Sequence, residues 1–282
     1  MKLWHRVVIV IALLAALSAC GVRTAYNNLD WLVMRWVNDQ VTLSDEQAER
    51  TESRLEALIE WHCASELPDY HAFLIDLRGD LGRDSLDAGD LAGHADTLYQ
   101  FWQRLVDRGE PVLIDLLATL DEEQIEEIEA TFQESNQEYE SDSVDINSAQ
   151  WQDRQVANMR RGLRRFIGRP DADQMALLLA WSQTLEPNAE LHLAQRRAWQ
   201  DQFLEALALR EQPERFDAAF RELRGARKDW PEDYRERLEH NRERTLEVLA
   251  DVHATLSDRQ RQRLDSRLAS LGRDFERLAC QG

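Results

Sequence analysis

Residues that could do chemistry are plentiful in this chain, but few are spaced to act together. None of the seven histidines has a glutamate three residues before it, so the Glu-x-x-His ligand pairs of di-iron bundles are missing. No His-x-x-x-His or HExxH occurs, and there is no GxSxG, P-loop or dinucleotide fingerprint. His62 beside Cys63 offers two metal ligands without a third; the alternative is a solvent-facing or satisfied core histidine. With 53 acidic residues, close carboxylates are expected on solvated helix faces, and no pair can be singled out for acid–base work. The expectation is therefore no catalytic residue, no metal and no cofactor.

One cationic grouping stands out: Arg160, Arg161, Arg164, Arg165 and Arg169. Two i,i+4 pairs of like charge are mildly destabilising unless something anionic meets them. Guanidinium groups so placed could grip carboxylate or phosphate, including that of lipopolysaccharide. The alternative is neutralisation by acidic neighbours across a helix interface. Arg197 and Trp199, in the run Arg196-Arg197-Ala198-Trp199, are further candidates for partner binding. Trp31, Trp36, Trp61, Trp102, Trp151, Trp181, Trp199 and Trp230 are many indoles for one bundle. They pack helix on helix, or some form an aromatic docking surface.

The N-terminus gives the most specific signal. Lys2 and Arg6 precede an apolar run, Val7 to Leu17, too short to span a bilayer as a lasting helix. A small-residue site follows, which is the layout of a secretory signal peptide over 1–19. Leu17-Ser18-Ala19-Cys20 resembles the bacterial lipobox. That resemblance implies acylation of Cys20 (a palmitate-type anchor), cleavage before it, and attachment to a membrane. Gly21, where an Asp would favour the inner membrane, implies the periplasmic face of the outer membrane. A plain signal peptide with a chance cysteine is the alternative. Without Lys2 and Arg6, the 34 basic residues fall to 32 against 53 acidic ones, a formal charge of −21. So acidic a body argues against nucleic-acid partners and against electrostatic capture by anionic lipid. In the oxidising compartment that the lipobox implies, Cys63 and Cys280 are the two thiols left. A Cys63–Cys280 disulfide is expected, with two separate buried thiols as the alternative.

The elements that must position these residues read as all-α. Apolar residues recur at three and four, no strand pattern is convincing, and about ten to twelve helices are expected in a bundle or cradle. Ranges near 24–38, 45–63, 67–82, 87–108, 111–119, 122–141, 149–167, 172–185, 188–211, 214–226, 232–255 and 258–279 fit the pattern. Pro111, Pro187, Pro213 and Pro231 stand where first turns would begin, and Asp84 reads as an N-cap. Residues 20–28 form a tether. The polar stretch 141–148 reads as a linker between helical halves at 29–140 and 149–282.

One helix start recurs. Leu43-Ser44-x-x-Gln47, Leu120-Asp121-x-x-Gln124 and Leu256-Ser257-x-x-Gln260 share a pattern, and Asp171-x-x-Gln174 is a weaker copy. The mechanism is the capping box, in which the cap oxygen and the glutamine amide satisfy each other's backbone N–H groups. The pattern resembles the LTxxQ motif of CpxP/Spy-type periplasmic chaperones, which implies a helical cradle for polypeptide clients, although no copy has the threonine. The lipobox, Asp30-Trp31-Leu32, the recurring helix starts and Arg196-Arg197-Ala198-Trp199 together resemble a group of helical lipoproteins of Gram-negative bacteria described only as a domain of unknown function. The expected role is non-catalytic binding of polypeptide or envelope partners; the alternatives are an envelope hydrolase using paired carboxylates and a structural subunit.

Overall fold

Six helices open with the same reciprocal cap. Ser44/Gln47, Asp87/Asp90, Asp121/Gln124, Asn147/Gln150, Asp171/Gln174 and Ser257/Gln260 each exchange side-chain and backbone hydrogen bonds across three residues. Each satisfies N–H groups that a first turn otherwise leaves without partners. The computed structural model describes residues 19–83, 85–225 and 230–280. Residues 1–18 of the expected signal peptide and the expected cap Asp84 lie outside the described residues.

Twelve α-helices run through the described chain. They are α1 Ala19–Tyr26, α2 Leu29–Asn38, α3 Asp45–Trp61, α4 Leu67–Leu81, α5 Ala88–Leu117, α6 Glu122–Tyr139, α7 Ser148–Phe166, α8 Ala172–Thr184, α9 Ala189–Leu207, α10 Pro213–Gly225, α11 Glu232–Ala254 and α12 Asp258–Leu278. No strand occurs among the described residues. None of the described helices is long and apolar enough to cross a membrane.

Five boundaries differ from the sequence reading. The expected tether 20–28 is mostly α1, which lies against α12 with Val22 and Tyr26 buried. The expected helix over 24–38 breaks at Asn27 and Asn28, where the Asn28 amide donates to the Thr24 carbonyl at 2.7 Å. Helices α3 and α4 are one rod, joined by a π turn at His62–Glu66. The helices expected over 87–108 and 111–119 are the single α5, with Pro111 inside it. Pro111 faces solvent, where one lost backbone bond costs least, while Phe101, Leu116 and Leu117 bury the stripe on either side. The expected linker 141–148 is largely helical: a π turn at Glu140–Val144 is closed by Asp145 N–H on the Glu140 carbonyl at 3.0 Å. Asn147 then caps α7.

That stretch does not part the core into halves. Val41, Leu116, Leu117, Leu120 and Ile128 pack with Phe203, Leu207, Phe216 and Phe220. Phe73, Leu74 and Phe101 pack with Leu268 of α12, the helix that lies along α4. A third cluster joins Trp151, Leu178, Trp181, Val248 and Val252 from α7, α8 and α11. Leu178 and Leu207 are fully buried, each worth about 2 kcal/mol of transfer free energy. Polar pairs stitch α6 and α11 to α9: Asn136 donates to Gln200 at 2.7 Å, and His192 meets Tyr234 Oη at 2.9 Å.

Candidate functional site

The four glutamine caps come together as two clasps. Gln47 Nε2 donates to Gln124 Oε1 at 2.9 Å, and Gln124 Nε2 returns a bond to Gln47 Oε1 at 2.7 Å. The same amides reach the turns before each other's caps, Gln47 to the Thr119 carbonyl at 2.8 Å and Gln124 to the Thr42 carbonyl at 2.7 Å. Gln174 and Gln260 repeat the exchange at 3.0 and 2.9 Å, with Gln174 Nε2 3.4 Å from the Thr255 carbonyl. Separations of 77 and 86 residues thus become direct contacts between helix starts. Gln174 is fully buried and Gln124 nearly so, so these amides face each other and not a client. The preceding leucines pack inward: Leu120 and Leu256 are buried, and Leu43 lies against the first cluster.

Cys63 and Cys280 are joined in a disulfide with Cα atoms 5.2 Å apart. The Cys280 N–H donates to the Cys63 carbonyl at 3.2 Å, doubling the attachment. With its sulfur so used, Cys63 offers nothing to a metal beside His62. Among the described residues no group of His, Cys, Asp or Glu side chains is placed to hold a metal ion. His62 instead meets Tyr26 Oη at 2.9 Å and stacks edge-on to Tyr70. Burial holds the imidazole below its usual pKa range, against the opposing charge of Glu66. Glu66 is itself buried and takes a bidentate pair from Arg104 at 2.9 and 2.8 Å.

The expected Arg196–Trp199 binding run is used in packing. Arg196 is buried and donates to Ser135 Oγ. Arg197 pairs with Glu140 at 2.8 Å, and Trp199 stacks on Phe203 with ring centres 5.2 Å apart. Of the tryptophans, Trp151 and Trp181 are buried in one cluster and Trp199 packs against another.

The arginine cluster is different. At about 100° per residue, Arg160, Arg161, Arg164 and Arg165 fall within one arc of roughly 140°. That arc lies opposite Val156, Met159, Leu163 and Phe166, which face the core. Arg160, Arg161 and Arg164 are exposed and make no ion pair among the described residues. Helix α12 widens the surface: Arg267 Nε donates to the Arg165 carbonyl at 3.3 Å. Arg263 lies alongside Gly168, whose φ of 86° turns the chain beyond α7. In a chain of formal charge −19, Arg160, Arg161 and Arg164 thus present three cations that no acid meets among the described residues.

Acids do gather in one place. An open groove of about 420 Å³ between α4 and α5 is lined by Asp69, Phe73, Asp76, Asp80, Asp90 and His94. Most of these groups already have partners. Asp69 binds Arg104 at 2.8 Å, His94 meets Asp80 at 2.8 Å, and Arg83 binds Asp90 at 2.9 Å. The Asp87 backbone N–H and Arg83 hold the Asp90 carboxyl below its usual range, the reverse of what a general acid needs.

Trp31, Leu32 and Trp36 of α2 project into solvent, 55%, 40% and 43% exposed. Residues 39–235 match the model of a family described as one of unknown function. No curated protein and no solved structure matches the chain.

Proposed function

The chain belongs to that family of unknown function, DUF6279, and from this premise we propose that it is a lipid-anchored, non-catalytic envelope protein that holds polypeptide or envelope partners. Cys20 carries the acyl anchor at the periplasmic face of the outer membrane. The body is a cross-stitched helical frame, as a scaffold or chaperone-like holder requires. The single observation that carries the binding role is the unpaired guanidinium face of α7, Arg160, Arg161 and Arg164. Exposed like charges on one helix face are held at a cost unless an anionic partner meets them. A carboxylate-rich polypeptide or a phosphate-bearing envelope component has the matching chemistry. A hydrolase using paired carboxylates is the weaker reading, because three of the four groove acids, Asp69, Asp80 and Asp90, are already paired with Arg104, His94 and Arg83.

The test is periplasmic proximity labelling with the native acylated protein, wild type against Arg160→Glu/Arg161→Glu/Arg164→Glu. Wild type should label a defined partner set, and the variant should lose it while its melting curve stays unchanged. An identical labelled set in both would remove the arginine face from the function. Mass spectrometry of the same samples should find Cys20 acylated at the new N-terminus; a chain beginning at Met1 would end the anchor reading.

A further inference from the structure

Among the described residues, seven large hydrophobic side chains are well exposed, and three of them, Trp31, Leu32 and Trp36, fall within six residues of α2. The other four, Ile75, Leu98, Leu113 and Leu179, stand singly on α4, α5 and α8. Isolated exposed leucines need no explanation, whereas a contiguous apolar strip does. At about 100° per residue, Trp31, Arg35, Leu32 and Trp36 occupy one arc of roughly 140°. The arc faces away from Met34, which is buried, and Val37, which packs on the first core cluster. Helix α2 lies against α3, so the strip is held outward on a fixed helix. The Arg35 guanidinium sits 5.5 Å over the Trp31 ring.

We propose that this face of α2 seats the body on the lipid headgroup layer of the membrane that Cys20 anchors. The proposal rests on the lipid-anchor reading above. Position supports it first. Cys20 is the second residue of α1, so only residues 21–26 and a two-residue break separate it from α2. Six helical residues span about 9 Å, well under the roughly 30 Å of a bilayer core, so the strip stays within reach of the surface that holds the acyl chains.

Chemistry supports it next. Indole rings combine a broad apolar body with one N–H, and they settle at the headgroup level of bilayers. Arg35 adds a cation beside them whose aliphatic stem can lie on apolar surface while its head meets phosphate. Area argues against a second copy as the occupant. Taking about 250 Å² for a whole tryptophan, the exposed strip is on the order of 300 Å². A specific interface needs about 800 Å² per partner. The acyl chains would hold the protein, and the aromatic seat would fix which side of the body faces the bilayer.

The experiment uses the mature chain, residues 20–282, as the unacylated Cys20→Ser form, so that the seat is measured without the anchor. It is mixed with vesicles of phosphatidylethanolamine and phosphatidylglycerol, three to one, and bound protein is read by co-sedimentation and by tryptophan quenching from acyl-brominated lipid. Trp31→Ser/Trp36→Ser should lower the partition coefficient at least about tenfold, since each indole withdraws on the order of 100 Å² of apolar surface from water. Ile75→Ser/Leu113→Ser, which removes as many exposed apolar side chains elsewhere, should bind as the parent does. All forms should share one circular dichroism spectrum. Partition equal within twofold between the parent and the tryptophan variant would overturn the seat. So would a Trp31- and Trp36-dependent dimer in analytical ultracentrifugation with no vesicle binding. An unmodified Cys20 in the native protein with Trp-dependent vesicle binding would sink the anchor and leave the seat; an acylated Cys20 with Trp-independent binding would do the reverse.

Discussion

Replacing Gln174 with alanine probes the deeper of the two glutamine clasps. Gln174 is fully buried, and its amide group makes four contacts: it donates to Gln260 and towards the Thr255 carbonyl, and accepts from Gln260 and from the Asp171 N–H. Each net hydrogen bond is worth about 1 kcal/mol, and a stranded buried donor costs about 1–3 kcal/mol. The truncation also empties the space of a buried side chain. Together these place Gln174→Ala at about 3 kcal/mol of destabilisation. Gln150→Ala is the internal standard, because Gln150 is exposed and its amide caps only its own helix. It should cost about 0.5 kcal/mol. Urea unfolding of the disulfide-bonded chain 20–282, read by circular dichroism, gives both numbers. A double-mutant cycle with Gln260→Ala should return a coupling energy of about 1 kcal/mol or more, because either single change already breaks the exchange. If Gln174→Ala costs no more than Gln150→Ala, or the cycle closes within about 0.3 kcal/mol, the clasp contributes nothing and the shared pattern is only local capping.

Two further outcomes follow from the disulfide and its neighbours. Reduction, or Cys63→Ser/Cys280→Ser, opens a covalent loop of 217 residues in sequence separation. The chain-entropy model puts that loss at about 5 kcal/mol, so the urea midpoint should fall sharply at an unchanged helical signal in buffer; an unmoved midpoint refutes it. His62 is held below its usual pKa by burial, so the unfolded chain binds the extra proton first. Its contribution is present above the ordinary histidine range of about 6.5 and is lost as pH falls towards the lowered folded value. Melting temperature should therefore drop through mildly acidic pH, and His62→Asn should flatten that part of the profile. Identical profiles for the two proteins would refute the assignment.

What could be read from the chain was local. The capping boxes at Ser44, Asp121, Asp171 and Ser257 close within three residues, so their letters suffice. Asn147 with Gln150 closes the same way but follows Ile146, not Leu, and lies inside a polar stretch that reads as a linker. Whether Gln47 meets Gln124 depends on where α3 and α6 end up, which no spacing states. Pro111 reads as a helix start because its missing N–H suits a first turn; the apolar residues flanking it in α5 bury well enough to keep the helix whole. Arg197 and Trp199 look like a binding pair because arginine and tryptophan lead interfaces, but they spend their chemistry on Glu140 and Phe203. Trp31 and Trp36 stand in the sequence among many indoles, with nothing in their letters to separate packing from exposure. Both are exposed because α2 packs through Met34, Val37 and Leu29 and leaves the arc between them open.

The link between Cys63 and Cys280 also governs how the molecule bears a load. Everything between those two positions is shorted by one covalent bridge, so tension applied at the two ends of the chain bypasses most of the helices. Only the stretch from Cys20 to Cys63 can be drawn out, about 150 Å at full extension. The first brake on that extension is the ion pair from Arg23 to the buried Asp274, at 2.7 Å. On the proposed attachment at Cys20, a pull at that end lengthens this leash while the disulfide keeps the rest of the body intact.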